Sequence, residues 1–249
     1  MRRTVGLVAA AVLALAASRA AASGFNLGWN DCPGGATYAL ARTFACDTNE
    51  GSHTLVGSFV APAGVVAMTG HSAVIDFQTS GPSLSAWWGL RTSPPMCRVG
   101  ALGSNFDFTG GPFTCSDYWQ GGAVGGSTMD FPVGNRGRLR PQCALALGDL
   151  RIGPVLEGVE VYLFKMVIDN RRTVGPEACG GCADEACIVM NTLFITQTPG
   201  TAPNLFMMHP ASVQHVIWQA WTTVDPRQSC PAVTPVRSRT WGSIKTLYR

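Results

Sequence analysis

The chain is short of charge. Only 13% of its 249 residues are Asp, Glu, Lys or Arg, about half the share of an ordinary soluble domain. So thin a charge content excludes the broad basic field that nucleic-acid binding needs. Long apolar runs are missing too, apart from one at the start. Residues 5–17 are uncharged and mostly apolar, follow Arg2 and Arg3, and lead into small residues that include Ala20, Ala21 and Ala22. This three-part pattern is that of a secretory signal cleaved after Ala22. It is too short for a membrane-spanning helix, which takes about 20 apolar residues. A buried apolar helix is the competing reading, disfavoured by the basic flank and the small-residue exit. No linker, charge block or internal repeat breaks the remainder, so the expected organisation is a signal over residues 1–22 and one secreted domain over 23–249. The expected location is extracytoplasmic, either extracellular or periplasmic.

Catalytic signatures are equally scarce. There is no Gly-x-Ser-x-Gly nucleophile elbow and no His-Glu-x-x-His zinc helix. Asp47 and Asn49 faintly suggest the start of a calcium loop, but the third ligand and the distal Glu are lacking, so a turn is expected. The formal charge of +3 comes from 18 basic against 15 acidic residues. Loss of Arg2, Arg3 and Arg19 with the signal leaves the mature chain neutral. The basic isoelectric point therefore says nothing about anionic partners. No cofactor, no metal and no nucleic-acid partner is expected.

What the chain has in quantity is turn formers and cysteine. Its 29 Gly and 16 Pro are spread along the whole length, and Gly-Pro or Pro-Gly pairs recur between short β-branched and aromatic runs. Such spacing predicts an all-β fold: an antiparallel β-sandwich, jelly-roll-like and disulfide-stapled. The clearest strand covers residues 70–79, where His71, Ala73, Ile75 and Phe77 share one face and Ser72, Asp76 and Gln78 the other. Residues 55–61 read similarly. Residues 159–168 and 188–195 are apolar on both faces and belong at the centre. Residues 212–222 form a further strand, with Trp218 and Trp221 on opposite faces. An irregular Gly-rich region is expected over residues 100–142. The last residues, with Trp241, Ile244 and Leu247 at helical spacing, suggest a short C-terminal helix, or else a sorting or assembly tail.

The nine cysteines, all beyond the signal, are Cys32, Cys46, Cys97, Cys115, Cys143, Cys179, Cys182, Cys187 and Cys230. After export they become disulfide candidates, one of them left without an intramolecular partner. Sequence proximity allows Cys32 to join Cys46 and Cys97 to join Cys115, and Cys143 to join Cys230 across a long span. The connectivity stays open. Cys179, Cys182 and Cys187 form the densest cluster. A zinc half-site would need two more ligands at matching spacing. A redox Cys-x-x-Cys would need a helix start to lower the thiol pKa. Between two predicted strands, the cluster reads as a disulfide-braced loop.

Three groups of residues could carry function. Asp107, Asp117 and Asp130 fall in the irregular region and are the carboxylates to test for a two-carboxylate hydrolase. Trp87, Trp88 and Trp119 offer flat apolar faces for sugars, or serve as core. Arg136, Arg138 and Arg140 alternate along one strand and would align three guanidiniums able to hold carboxylate, sulfate or phosphate. Alternatively, they guard an edge strand against aggregation. His71 next to Ser72 is no dyad, because strand alternation sends the two apart. The leading expectation is a non-catalytic protein of surface structure, adhesion or glycan recognition, with glycan or other cell-surface material as partner and self-assembly as a further expectation. The rival is an extracellular carboxylate-dependent hydrolase acting on polysaccharide.

Overall fold

The computed structural model describes residues 24–90, 96–110, 115–130, 134, 136–146, 153–208 and 212–219. The expected signal segment, the C-terminal helix, Trp221 and Cys230 lie outside these residues. The described chain is nearly all β. Its strands are β1 (Gly24–Trp29), β2 (Ala41–Arg42), β3 (Ser52–Val60), β4 (Met68–Thr79), β5 (Leu102–Asn105), β6 (Ala123–Asp130), β7 (Arg136–Leu145), β8 (Glu160–Asp169), β9 (Ala186–Gln197), β10 (Leu205–Met208), β11 (Ser212–Val213) and β12 (His215–Trp218), with one 3₁₀ turn at Ala86–Trp88.

Two sheets result. One runs in the order β11-β1-β3-β8-β5 and the other β2-β12-β9-β4-β7-β6, with β10 continuing beside β9. All the long pairings are antiparallel; only the two-residue pairings of β1 with β11 and of β12 with β2 are parallel. The core lies between the sheets, filled from one side by Phe25, Leu27, Leu55 and Phe59 and from the other by Ala73, Ile75, Phe77 and Ile188. Alternation dictates this: along β4, His71, Ala73, Ile75 and Phe77 are buried while Ser72, Val74, Asp76 and Gln78 are half-exposed. The doubly apolar runs become β8 and β9, interior strands hydrogen-bonded on both sides and buried over most of their length.

Two expectations change. The Gly-rich region at 100–142 carries β5, β6 and the start of β7 rather than irregular chain alone. The strand expected at 212–222 splits within its described part: β11 joins the first sheet through β1, and β12 joins the second through β9.

Three disulfides connect described residues: Cys32–Cys115, Cys46–Cys182 and Cys97–Cys179, with sequence separations of 83, 136 and 82. Cys187 is disulfide-bonded as well. The short pairings allowed by sequence, Cys32 with Cys46 and Cys97 with Cys115, are therefore replaced by long-range ones, and Cys143 is free and buried. The Cys179–Cys187 loop is braced as expected. Cys179 and Cys182 bond to different partners, so they form neither a redox pair nor half of a zinc site.

Under the 3₁₀ turn, Arg98 is wholly buried. Its guanidinium donates to the carbonyls of Trp87 and Arg171, each at 3.0 Å, and to that of Asp169. The same group lies 3.8 Å over the Trp87 ring. Burial pushes its pKa down to about 10, which still leaves it charged at neutral pH.

Candidate functional site

Strands β6 and β7 pair antiparallel along their whole shared length, with Gly125 opposite Cys143, Gly126 opposite Gln142 and Thr128 opposite Arg140. Strand β7 in turn pairs with β4, placing His71 opposite Cys143 and Asp76 opposite Arg138. Side chains on β7 alternate, so Arg136, Arg138, Arg140 and Gln142 face outward while Leu139, Pro141 and Cys143 are buried. The three arginines do share one face of one strand, as their spacing predicts.

That stripe is interleaved with acid. Arg138 makes a two-point contact with Asp76, Nε to Oδ1 at 2.5 Å and an NH2 to Oδ2 at 3.0 Å. Asn191 donates to the same carboxylate. The Asp76 contact raises the Arg138 pKa above its ordinary value. Arg140 is engaged more loosely, by one Nε contact to Asp130 at 3.3 Å, with both side chains substantially exposed. Arg138 is thus neutralised in place, whereas the terminal guanidinium nitrogens of Arg140 make no hydrogen bond to a carboxylate among the described residues.

Beside Arg140 an open groove of about 530 Å³ runs over the β6–β7 pair. Its polar lining comes from Ser127, Thr128, Arg140 and Gln142, and its apolar lining from Val124, Ala144 and the Gly125–Gly126 backbone, with His71 and Cys143 also in its wall. The glycine pair makes this relief. A Cβ on Gly125 would stand 2.1 Å from the Gln142 carbonyl oxygen, so the two strands close up only because that atom is missing. A Cβ on Gly126 would meet nothing within 4 Å, which leaves open space where a strand normally carries a side chain.

His71 and Cys143 form a hydrogen-bonded pair, Nδ1 to Sγ at 3.1 Å. Burial without a compensating charge drives the imidazole pKa down to about 3 and the thiol pKa up to about 12. Both are neutral at physiological pH, the reverse of the thiolate–imidazolium state that a cysteine nucleophile needs. The aromatic rings of Phe106, Trp119 and Phe164 surround His71 at 5.8–6.3 Å. His71 Nε2 and Trp119 Nε1 find no hydrogen-bond partner among the described residues.

The other sequence candidates are dispersed. Trp87, Trp88 and Trp119 are completely buried and present no face to a ligand. Trp87 and Trp88 pack with Trp218 at centroid distances of 4.7 and 5.6 Å, and Trp87 Nε1 donates to Thr173 Oγ1 at 3.2 Å. These rings belong to the core, because indoles of that size fill the space between two sheets. Asp107 accepts hydrogen bonds from the backbone and hydroxyl of Thr109, which hold its carboxyl below the ordinary value. Asp117 caps a turn by accepting from the Trp119 and Gly121 amides at 2.9 and 2.8 Å. Both lie near enough to Lys165 to favour its charge, whereas Asp130 sits on β6 of the other sheet. The three carboxylates do not converge. Asp31, Cys32 and Cys115 also cluster, but both sulfurs are spent in a disulfide and no thiolate is left for a metal.

Sequence reasoning found Arg140 and missed the groove. The signal for it was Gly125–Gly126 followed by Ser127 and Thr128, a glycine pair inside a strand that marks close backbone approach. No protein-family model and no curated protein matches the sequence. Among solved structures, AvmM, which catalyses macrocyclization in alchivemycin A biosynthesis, is similar over 81% of this chain and 90% of its own. The identity is 10% and the TM-score 0.39, a likeness too distant to bear on chemistry.

Proposed function

We propose that the protein is exported and serves, without catalysis, in surface structure, adhesion or glycan recognition. The observation that carries this reading is the open groove over β6 and β7, a concavity of mixed polar and apolar lining on paired strands of a disulfide-stapled fold. A site on rigid strands is fixed before its ligand arrives, which lowers the ordering cost of binding. The three disulfides between described residues support an oxidising destination. No helix among the described residues is long and apolar enough to cross a membrane. The acids that a hydrolase reading would use are occupied in turns or in an ion pair.

The test is to offer purified mature protein to a panel of insoluble and soluble polysaccharides, following both retention and release of reducing ends. Retention without turnover is the expected result. Turnover that disappears in Asp107→Ala, Asp117→Ala or Asp130→Ala would replace this reading with a carboxylate-dependent hydrolase.

A further inference from the structure

The geometry points to the β6–β7 groove as a site for a carboxylated sugar, a uronate, with Arg140 holding its carboxylate. This rests on the recognition reading above and names the ligand class of that site. A volume of about 530 Å³ lies in the range of small-molecule sites and takes one or two pyranose rings. The lining is chemically mixed in the way a sugar acid demands. One cation stands beside a hydroxyl and an amide on the same outer face of the strand pair, Thr128 and Gln142, suited to ring hydroxyls. The bare Gly126 backbone lets a ring approach the sheet itself.

The charge arrangement selects the anion. Of the outward arginines on β7, Arg138 is locked by two contacts to Asp76, and it is Arg140 that lines the groove. Asp130 accepts a single hydrogen bond from Arg140 among the described residues, from Nε at 3.3 Å, and half of its side-chain surface is exposed. A ligand carboxylate can therefore take the terminal nitrogens side by side, the two-point geometry that guanidinium offers and ammonium does not. Asp130 then acts as the resident counter-ion, holding the guanidinium over the groove. Beneath, the buried His71 ring, whose Nε2 has no partner among the described residues, stays neutral and adds no competing charge.

Isothermal titration of the mature protein with oligogalacturonate, with reduced (neutral) oligogalactose and with a sulfated galactan separates the outcomes. Oligogalacturonate is expected to bind at least about tenfold more tightly than the neutral oligomer. Arg140→Ala should lose that preference, and Arg140→Lys should recover only part of it. Gly126→Val has room for its side chain and suits a strand, so it should fold normally by circular dichroism and block the groove. Arg136→Ala, outside the groove, should change affinity by no more than about twofold. Equal affinity for neutral and acidic oligomers, both lost in Gly126→Val, would overturn the uronate assignment and leave glycan recognition standing. Preference for the sulfated galactan would likewise overturn the carboxylate and keep the site. Binding unaffected by Gly126→Val would place the site elsewhere. Failure of every glycan to bind, in a protein still retained on cell surfaces, would overturn the groove and leave adhesion.

Discussion

His71 and Cys143 show what burial does to two groups that are reactive in other settings. The imidazole pKa falls to about 3 and the thiol pKa rises to about 12 because neither has a charged neighbour to offset desolvation. The unfolded chain releases the corresponding imidazolium proton near pH 6.5. Between about pH 3 and 6.5 the unfolded state thus carries one more proton than the folded state, and stability rises with pH across that window. The contribution is complete above pH 6.5 and falls as pH drops, by about 1.4 kcal/mol for each unit. Urea titrations at pH 4, 5 and 7 should show a His71→Phe variant losing less stability on acidification than the parent. Parallel losses would mean that His71 is protonated in the fold. The thiol makes a companion prediction: Cys143 should resist iodoacetamide at pH 8 in the native protein and react at once in urea. Rapid native alkylation would show a thiolate that this environment does not support.

At the scale of the strand, what could be read in advance was periodicity. His71, Ala73, Ile75 and Phe77 fall on the core face of β4, and Arg136, Arg138 and Arg140 share the outer face of β7, because a period of two follows from backbone geometry alone. What a strand meets across the sheet was not legible. The tryptophans looked suited to a sugar platform, yet Trp87, Trp88 and Trp119 face partners far off in the chain, and burial is a property of those partners. The groove stayed hidden because it arises from missing side chains at Gly125 and Gly126. Gly137 gives the converse case. A Cβ there would stand 1.9 Å from Phe77 Cζ, since the Phe77 ring lies across the glycine backbone on the neighbouring strand. Phe77 is only 1% exposed, so the ring has no solvent to move into. Gly137→Ala should lower stability by about 1–3 kcal/mol through overpacking, read as a drop in thermal midpoint. An unchanged midpoint would show that β4 and β7 can separate freely, contrary to the packing seen here.

Across the whole molecule, two of the three disulfides between described residues end in one place. Cys97–Cys179 and Cys46–Cys182 end three residues apart in the loop before β9, and Cys187 on β9 itself is bonded too. Each cross-link limits the freedom of the unfolded chain and is worth about 2–4 kcal/mol. Their shared end makes them interdependent. With Cys97–Cys179 closed, the unfolded chain can travel from Cys46 to Cys182 through that bridge, a far shorter circuit than their separation of 136. Either bridge therefore adds less beside the other than it does alone, because closure entropy grows with the logarithm of circuit length. Removing both should accordingly cost more than the sum of the two single removals, by about 1 kcal/mol. The comparison needs three proteins besides the parent: Cys46→Ser with Cys182→Ser, Cys97→Ser with Cys179→Ser, and all four together, each unfolded in urea without reductant. A shortfall instead of an excess in the fourfold variant would locate the stabilisation in native contacts around the loop rather than in the unfolded chain.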